Sequence, residues 1–168
     1  MDQQVDSYRF LSGFTKQMVK SWVRMETGRE IPWTPLVKPL AESKLALISS
    51  AGIALQSDRP FDQQGERQNP WWGDPSYRVI PGNATAKDIR VYHLHVNPDN
   101  AQTDLNCIIQ LERLAELAAA GETGDTAASH YSFMGYILKP ETLLEKSVPA
   151  IIDGLRSENV DVVILVPV

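Results

Sequence analysis

The sequence predicts an α/β domain built on a parallel β-sheet. Three observations carry this. Short β-branched, apolar runs at residues 44–53, 88–97 and 160–166 alternate with segments of helical periodicity at 104–121 and 140–159. The run at 160–166, within "ENVDVVILVPV", lacks the polar alternation of a half-exposed strand and reads as buried on both faces, in the middle of a sheet. Strands separated by helices need right-handed crossovers, which give parallel neighbours. The expected arrangement is three-layered and Rossmann-like or flavodoxin-like, a single domain over residues 1–168 that is incomplete at its carboxyl end.

Each element has its own warrant. Residues 5–27 place Tyr8, Leu11, Phe14, Met18 and Trp22 at helical spacing, with Asp6 or Ser7 as cap and Gly28 as stop. Phe10, Val19, Val23 and Met25 make this helix too apolar to stand free. Residues 28–40 hold Pro32, Pro35 and Pro39, which remove backbone donors and impose an extended connector. The strand at 44–53 ends in small residues at Ser49, Ser50 and Gly52. Residues 56–82 contain four prolines and three glycines, too many for a long regular element, yet also Phe61, Trp71, Trp72 and Tyr77. A loop of that length with such aromatics reads as ordered and functional. The strand at 88–97 puts Val91, His93 and His95 on one face. Asp104 caps and Gly121 closes a helix over 104–121. Residues 128–137, "ASHYSFMGYI", read as a loop or short helix lining a cleft. Pro140 opens a helix over 140–159 that Pro149 breaks or kinks.

Composition narrows the function. With 43% hydrophobic and 22% charged residues the chain is globular, and a net charge of −5 without a basic stripe argues against nucleic-acid binding. Cys107 is the only cysteine, so a disulfide scaffold is excluded, and the helix around it gives it the role of a small hydrophobe. The start "MDQQVDSYRF" does not read as a signal peptide, and no apolar run approaches the ~18 residues of a membrane span. The expectation is a soluble cytoplasmic protein without membrane contact. There is no P-loop, G-x-G-x-x-G or C-x-x-C.

In parallel sheets ligands bind beyond the carboxyl ends of the strands, which points to residues 49–52, 93–97 and 167–168. His93 and His95 are candidates for substrate binding or proton transfer; as a His-X-His metal pair they lack a third ligand at nearby spacing, and a packing role is the plain alternative. Asp58, Arg59, Asp62, Glu66 and Arg67 cluster in a charged loop that is either solvated or suited to capturing a carboxylate, with Asp58 and Arg59 the substrate-binding candidates. His130, Tyr131 and Ser132 line a cleft or form a packed aromatic loop; the strand-turn-helix elbow of a serine nucleophile is absent. No metal site is expected.

The stretches "LISSAGIALQSDRPFD", "NPWWGDPSYRVIP", "IRVYHLHVN", "DLN", "HYSFMGYI" and "VDVVILVPV" resemble, in this order, the selenoprotein B subunits of the glycine, sarcosine, betaine and D-proline reductases, with the D-proline branch most alike. The resemblance runs from about residue 5 to Val168; GDPSYR and SHYSFMGY are its specific parts. It implies an oxidoreductase subunit that takes part in reductive C–N cleavage of a small cyclic or N-substituted amino acid. A pyruvoyl group on a partner subunit holds the substrate amine, and a dithiol supplies reducing equivalents; no cofactor is expected in this chain. A selenocysteine, or a cysteine, attacks the α-carbon, and in the proline-type branch it directly follows a strand ending in Val-Pro. Here the corresponding Val166 and Pro167 are followed only by Val168. The expectation is therefore a selenoprotein fragment truncated before its nucleophile, read through a UGA codon in the full message. The alternative is a non-catalytic ligand-binding or assembly subunit. The exposed apolar helix face and an unpaired terminal strand predict a homo-oligomer.

Overall fold

The computed structural model describes residues 11–25, 30, 32–69 and 72–168. Two compact units divide the chain, Met1–Pro35 and Leu36–Val168. In the first, helix α1 (Gly13–Met25) begins where the Thr15 N–H donates to Ser12 Oγ (3.2 Å). Of the expected helix over 5–27, residues 5–10 and 26–27 lie outside the described residues, as do the Asp6, Ser7 and Gly28 caps. Phe14, Met18 and Trp22 are exposed along one stripe.

The second unit is α/β, with a sheet that is mixed rather than wholly parallel. Its four strands run β3 (Tyr77–Pro81), β5 (Ser129–Phe133), β1 (Leu45–Ser49), β6 (Val162–Val166). β1 pairs in parallel with β5 and β6, whereas β3 pairs antiparallel with β5. A second, two-stranded antiparallel sheet joins β2 (Ile53–Leu55) to β4 (Ile89–Val91).

β1 explains the layering. Leu45 and Leu47 point into a core with Ile53, Ile80, Ile89, Ile108, Ile109 and Leu114. Ala46 and Ile48 point the other way, against Tyr131, Ile151 and Leu155. Helix α4 (Leu111–Ala119) and the small sheet cover the first face; helix α5 (Val148–Ser157) covers the second.

Several elements differ from expectation for identifiable reasons. The apolar run at 44–53 is two strands, because Gly52 at φ +60° turns the chain from one sheet into the other. A Cβ on Gly52 would lie 2.3 Å from Met134 Sδ, so this turn needs glycine. The irregular stretch 56–82 contains the short helix α2 (Gln63–Gln68), capped by Asp62, and the whole of β3. The strand expected over 88–97 stops at Val91; His93 and His95 sit in a following turn closed by Val96 N–H to His93 O (3.2 Å). Asp104 caps a 3-10 turn, Leu105–Cys107, that follows helix α3 (Pro98–Thr103) and precedes α4. Residues 129–133 form an interior strand rather than a loop or short helix. Pro149 lies in the first turn of α5 and a π-helical segment, Leu143–Ser147, precedes it; the ring excludes the ordinary i−4 bond, and the widened turn absorbs the loss.

β6 is the largest departure. It lies at the sheet margin, bonded to β1 alone among the described residues, with Ile164 and Leu165 exposed. An apolar run reveals that both faces suit burial; it does not reveal how many neighbours the strand has.

Two side chains hold the sheet interior. His130 is 1% exposed and accepts the Leu47 N–H at Nδ1 (2.9 Å). Burial outweighs the opposing charge of Glu158 and pushes its pKa down to about 4. The folded value lies below the unfolded one, so the stabilisation is complete above pH ~6.5 and is lost as pH falls toward 4, on the order of 3 kcal/mol in all. Urea unfolding at pH 7 and 4.5 is expected to show this fall, and His130→Gln, which cannot titrate, is expected to flatten it. On the opposite face, a Cβ at Gly154 would lie 2.1 Å from Tyr131 Oη. Gly154→Ala should therefore destabilise by about 2 kcal/mol, despite better helix propensity. A double-mutant cycle with Tyr131→Phe should recover part of that loss.

Candidate functional site

Two features meet at the carboxyl ends of the parallel strands. The first is a cleft of about 470 Å³ lined by Asp58, Arg59, Asp62, Trp72, Asp74, Ser76 and Arg78. Its floor is the start of β3, where Arg78 pairs across to Ser132 near the end of β5. Asp74 and Arg78 organise it. Asp74 Oδ1 accepts from Ser76 N–H (2.9 Å) and Oγ (2.6 Å), while Oδ2 accepts the Asp62 N–H (2.9 Å). Burial would raise the Asp74 carboxyl, but these hydrogen bonds and the Arg78 charge outweigh it and hold it below the usual carboxylate range.

Arg78 donates from Nε to Arg59 O (2.9 Å), from Nη1 to Ser76 Oγ (3.0 Å) and Tyr77 O (2.7 Å), and from Nη2 to Pro60 O (3.3 Å). Its guanidinium also lies 4.1 Å over the Phe61 ring. Its donors thus fix the backbone at 59–60. Arg59 lines the cleft, and its guanidinium makes no hydrogen bond or ion pair with the described residues. Asp58 accepts the Leu55 N–H through Oδ2 (2.9 Å), which leaves Oδ1 open.

The second feature is a chain of contacts from β6 to the histidine turn. Val168 N–H donates to Ser50 Oγ (2.9 Å), and Gly135 N–H to Ser50 O (2.8 Å). A Cβ on Gly135 would lie 2.8 Å from His93 Nε2, so that histidine rests against glycine backbone. His93 is buried and accepts the His95 N–H at Nδ1 (3.2 Å), which makes Nε2 the proton-bearing nitrogen of its neutral ring. Burial, then the charge of His95, lowers the pKa of His93. His95 is exposed, and its ring centroid is 5.8 Å from both His93 and Tyr136, edge to face.

Helix α2 links the two features. Gly65 packs on Trp72 and Asp62 at the cleft, while Gln63 Nε2 donates to Tyr92 O (2.5 Å) beside the histidines. Phe61 meets Tyr92 edge to face at 5.8 Å.

The residues singled out in the sequence therefore fall into three places. Asp58 and Arg59 line the cleft. His93 and His95 adjoin the strand ends. His130, Tyr131 and Ser132 are all buried in β5. His130 bonds Leu47 and Tyr131 packs on α5, while Ser132 Oγ accepts the Ile53 N–H (2.8 Å). No group of three metal-ligating side chains occurs among the described residues. Asp62, part of the charged cluster singled out in the sequence, also lines the cleft, whereas Trp72, Asp74, Ser76 and Arg78 escaped the sequence reading as site residues, although GDPSYR was the signal. Trp71 lies outside the described residues. A groove of about 490 Å³ lined by Leu55, Pro81 and Lys87 lies at the opposite, amino end of β5.

The second unit is an α/β domain with a charged cleft at the carboxyl ends of its strands. No protein-family model and no solved structure matches the chain. The D-proline reductase subunit gamma of Acetoanaerobium sticklandii is 32% identical over 133 residues, covering 79% of this chain and 52% of that protein. This similarity supports membership of the proline/glycine reductase family. It spans about half the length of the curated relative it matches. No described helix is long and apolar enough to cross a membrane.

Arg78→Lys removes the planar fork that serves three carbonyls and the Phe61 face. It is expected to cost about 2 kcal/mol in urea unfolding and to free the 59–60 backbone, seen as faster amide exchange there.

Proposed function

We propose that this chain forms the substrate-binding part of a D-proline reductase-like selenoprotein subunit. It acts in the reductive C–N cleavage of a small cyclic or N-substituted amino acid. The observation that carries the reading is Arg59, which lines a cleft with Trp72 and acidic side chains at the strand ends and whose guanidinium makes no hydrogen bond or ion pair with the described residues. A cyclic amino acid needs a cation for its carboxylate and an apolar wall for its ring. Arg59 offers the planar, bidentate match to a carboxylate. Trp72 offers the wall, and Asp58 Oδ1 an acceptor for an amine.

The relative's name, a reductase subunit, supports a partner. The amine is then held by a pyruvoyl group on that partner, a dithiol supplies the two electrons, and the attacking selenocysteine or cysteine lies beyond Val168. His93 and His95 border the place that such a residue would reach, because Val168 is bonded to Ser50 and Ser50 to the glycine against His93. His130, Tyr131 and Ser132 hold the sheet together and are not assigned to substrate.

Calorimetry with D-proline tests the cleft. Binding weakened at least about tenfold in Arg59→Ala, with unchanged fold, is expected; equal affinity in both proteins overturns the assignment. The chain alone is expected to show no dithiol-dependent turnover, and turnover by it would place the nucleophile elsewhere.

The open margin of β6, with Leu165 69% exposed, favours assembly with a further strand or a second copy of the chain. Light scattering is expected to show an oligomer, and a monomer at high concentration counts against self-association.

A further inference from the structure

Tyr136 stands apart in its backbone. Among the described residues two non-glycine positions have positive φ, Tyr136 (58°) and Asn159 (56°). Asparagine tolerates the left-handed region, whereas a bulky aromatic residue rarely adopts it and is strained there. Tyr136 is also 46% exposed, so burial of its ring does not offset that strain.

The flanking chain imposes the conformation. Met134 is fully buried and bridges to Ala51, just past the end of β1. Gly135 is held by its N–H bond to Ser50 O (2.8 Å). Ile137 packs on the cluster of Ala54, Phe61 and Met134. Between these anchors the backbone turns through Tyr136. A glycine at 136 would make the same turn without strain. What it would lack is the ring.

That ring meets His95. The two centroids are 5.8 Å apart and the planes cross at 80°, a favoured edge-to-face geometry. His95 is exposed, and its backbone is already fixed by the bond from its N–H to His93 Nδ1 (3.2 Å). The His93 ring borders it at 5.8 Å and 65°. An exposed imidazole, otherwise open to rotation, thus has an aromatic ring on two sides.

We propose that Tyr136 is the positioning residue for His95: the strained tyrosine holds the imidazole in one orientation at the carboxyl ends of the strands. The place is specific. Tyr136 directly follows the glycine that accepts His93 against its backbone and bonds Ser50, the partner of Val168. An imidazole acts along directions set by its ring plane, so a rotating ring spends little time aligned. That His95 serves the reaction rests on the functional reading given above; the ring contact does not.

Proton NMR of the histidine rings in the full chain reads the contact. The chain has three histidines, and the His95 signals are those lost in His95→Gln. Tyr136→Phe keeps the ring and is expected to leave the His95 signals in place. Tyr136→Gly keeps the turn, removes the ring and is expected to shift them toward those of a freely rotating histidine. His95 signals that Tyr136→Gly does not move overturn the proposal. Urea unfolding of Tyr136→Gly is expected at an unchanged or higher midpoint, since relief of strain offsets the added freedom of the unfolded chain. A clear fall marks the ring as a packing element and overturns the positioning role. Tyr136→Asn, which also tolerates positive φ, is expected to match the glycine variant in both measurements.

Kinetics of the reductase assembled with its partner subunit test the catalytic clause. Tyr136→Gly is expected to lower kcat for D-proline about tenfold with KM unmoved, and Tyr136→Phe to restore it. An unchanged kcat despite displaced His95 signals overturns that clause. D-proline that neither binds nor turns over in the wild-type assembly counts against the substrate reading, and the NMR then decides the positioning role by itself.

Discussion

The structure depends on how polar groups are satisfied where β1 ends. Two serine hydroxyls replace the missing ladder there. Ser49 Oγ donates to Ile108 O (2.7 Å) and accepts the Ala51 N–H (3.2 Å), while Ser132 Oγ accepts the Ile53 N–H (2.8 Å). All of this is buried, where an unpaired donor would cost as much as several good contacts contribute. With these bonds made, the chain leaves the large sheet, turns at Gly52 and enters the small one without stranding a backbone group. The small sheet then delivers residues 92–95 back to the strand ends, since Gly52 O accepts the Tyr92 N–H (2.9 Å).

The same economy of donors shapes the cleft. Two arginines lie in it with opposite duties. Arg78 is consumed by carbonyls, a serine hydroxyl and an aromatic face, and so acts as a framework element. Arg59, whose carbonyl Arg78 holds, makes no hydrogen bond or ion pair through its own guanidinium with the described residues. Asp74 is likewise consumed by the backbone at 62 and 76, whereas Asp58 retains an open oxygen. A charged loop in which some groups are saturated and others are held open differs from a solvated loop, in which none is held.

Some of this was legible in residues and some was not. The apolar runs marked β1, β4 and β6, and helical periodicity marked α4 and α5, because burial imposes those patterns locally. β3 was hidden by Pro75 and Pro81 at its margins, and β5 by its mixture of His130, Tyr131 and Ser132. In β5 each polar side chain meets its own buried partner, so a polar residue reads as exposed until that partner is known. His93 and His95 stand together at the strand ends, as their proximity in sequence implied, yet on a turn rather than a strand.

By itself the sequence determined the α/β class and, through GDPSYR and SHYSFMGY, the family resemblance. Each depends on neighbours along the chain or on short motifs. Only the tertiary structure decided that β3 runs antiparallel, that β6 lies at the margin, that Arg59 rather than Arg78 is open, and that Glu66 is buried. Those outcomes depend on which distant carbonyl, ring or strand occupies the space beside each group, and spacing along the chain carries no record of it.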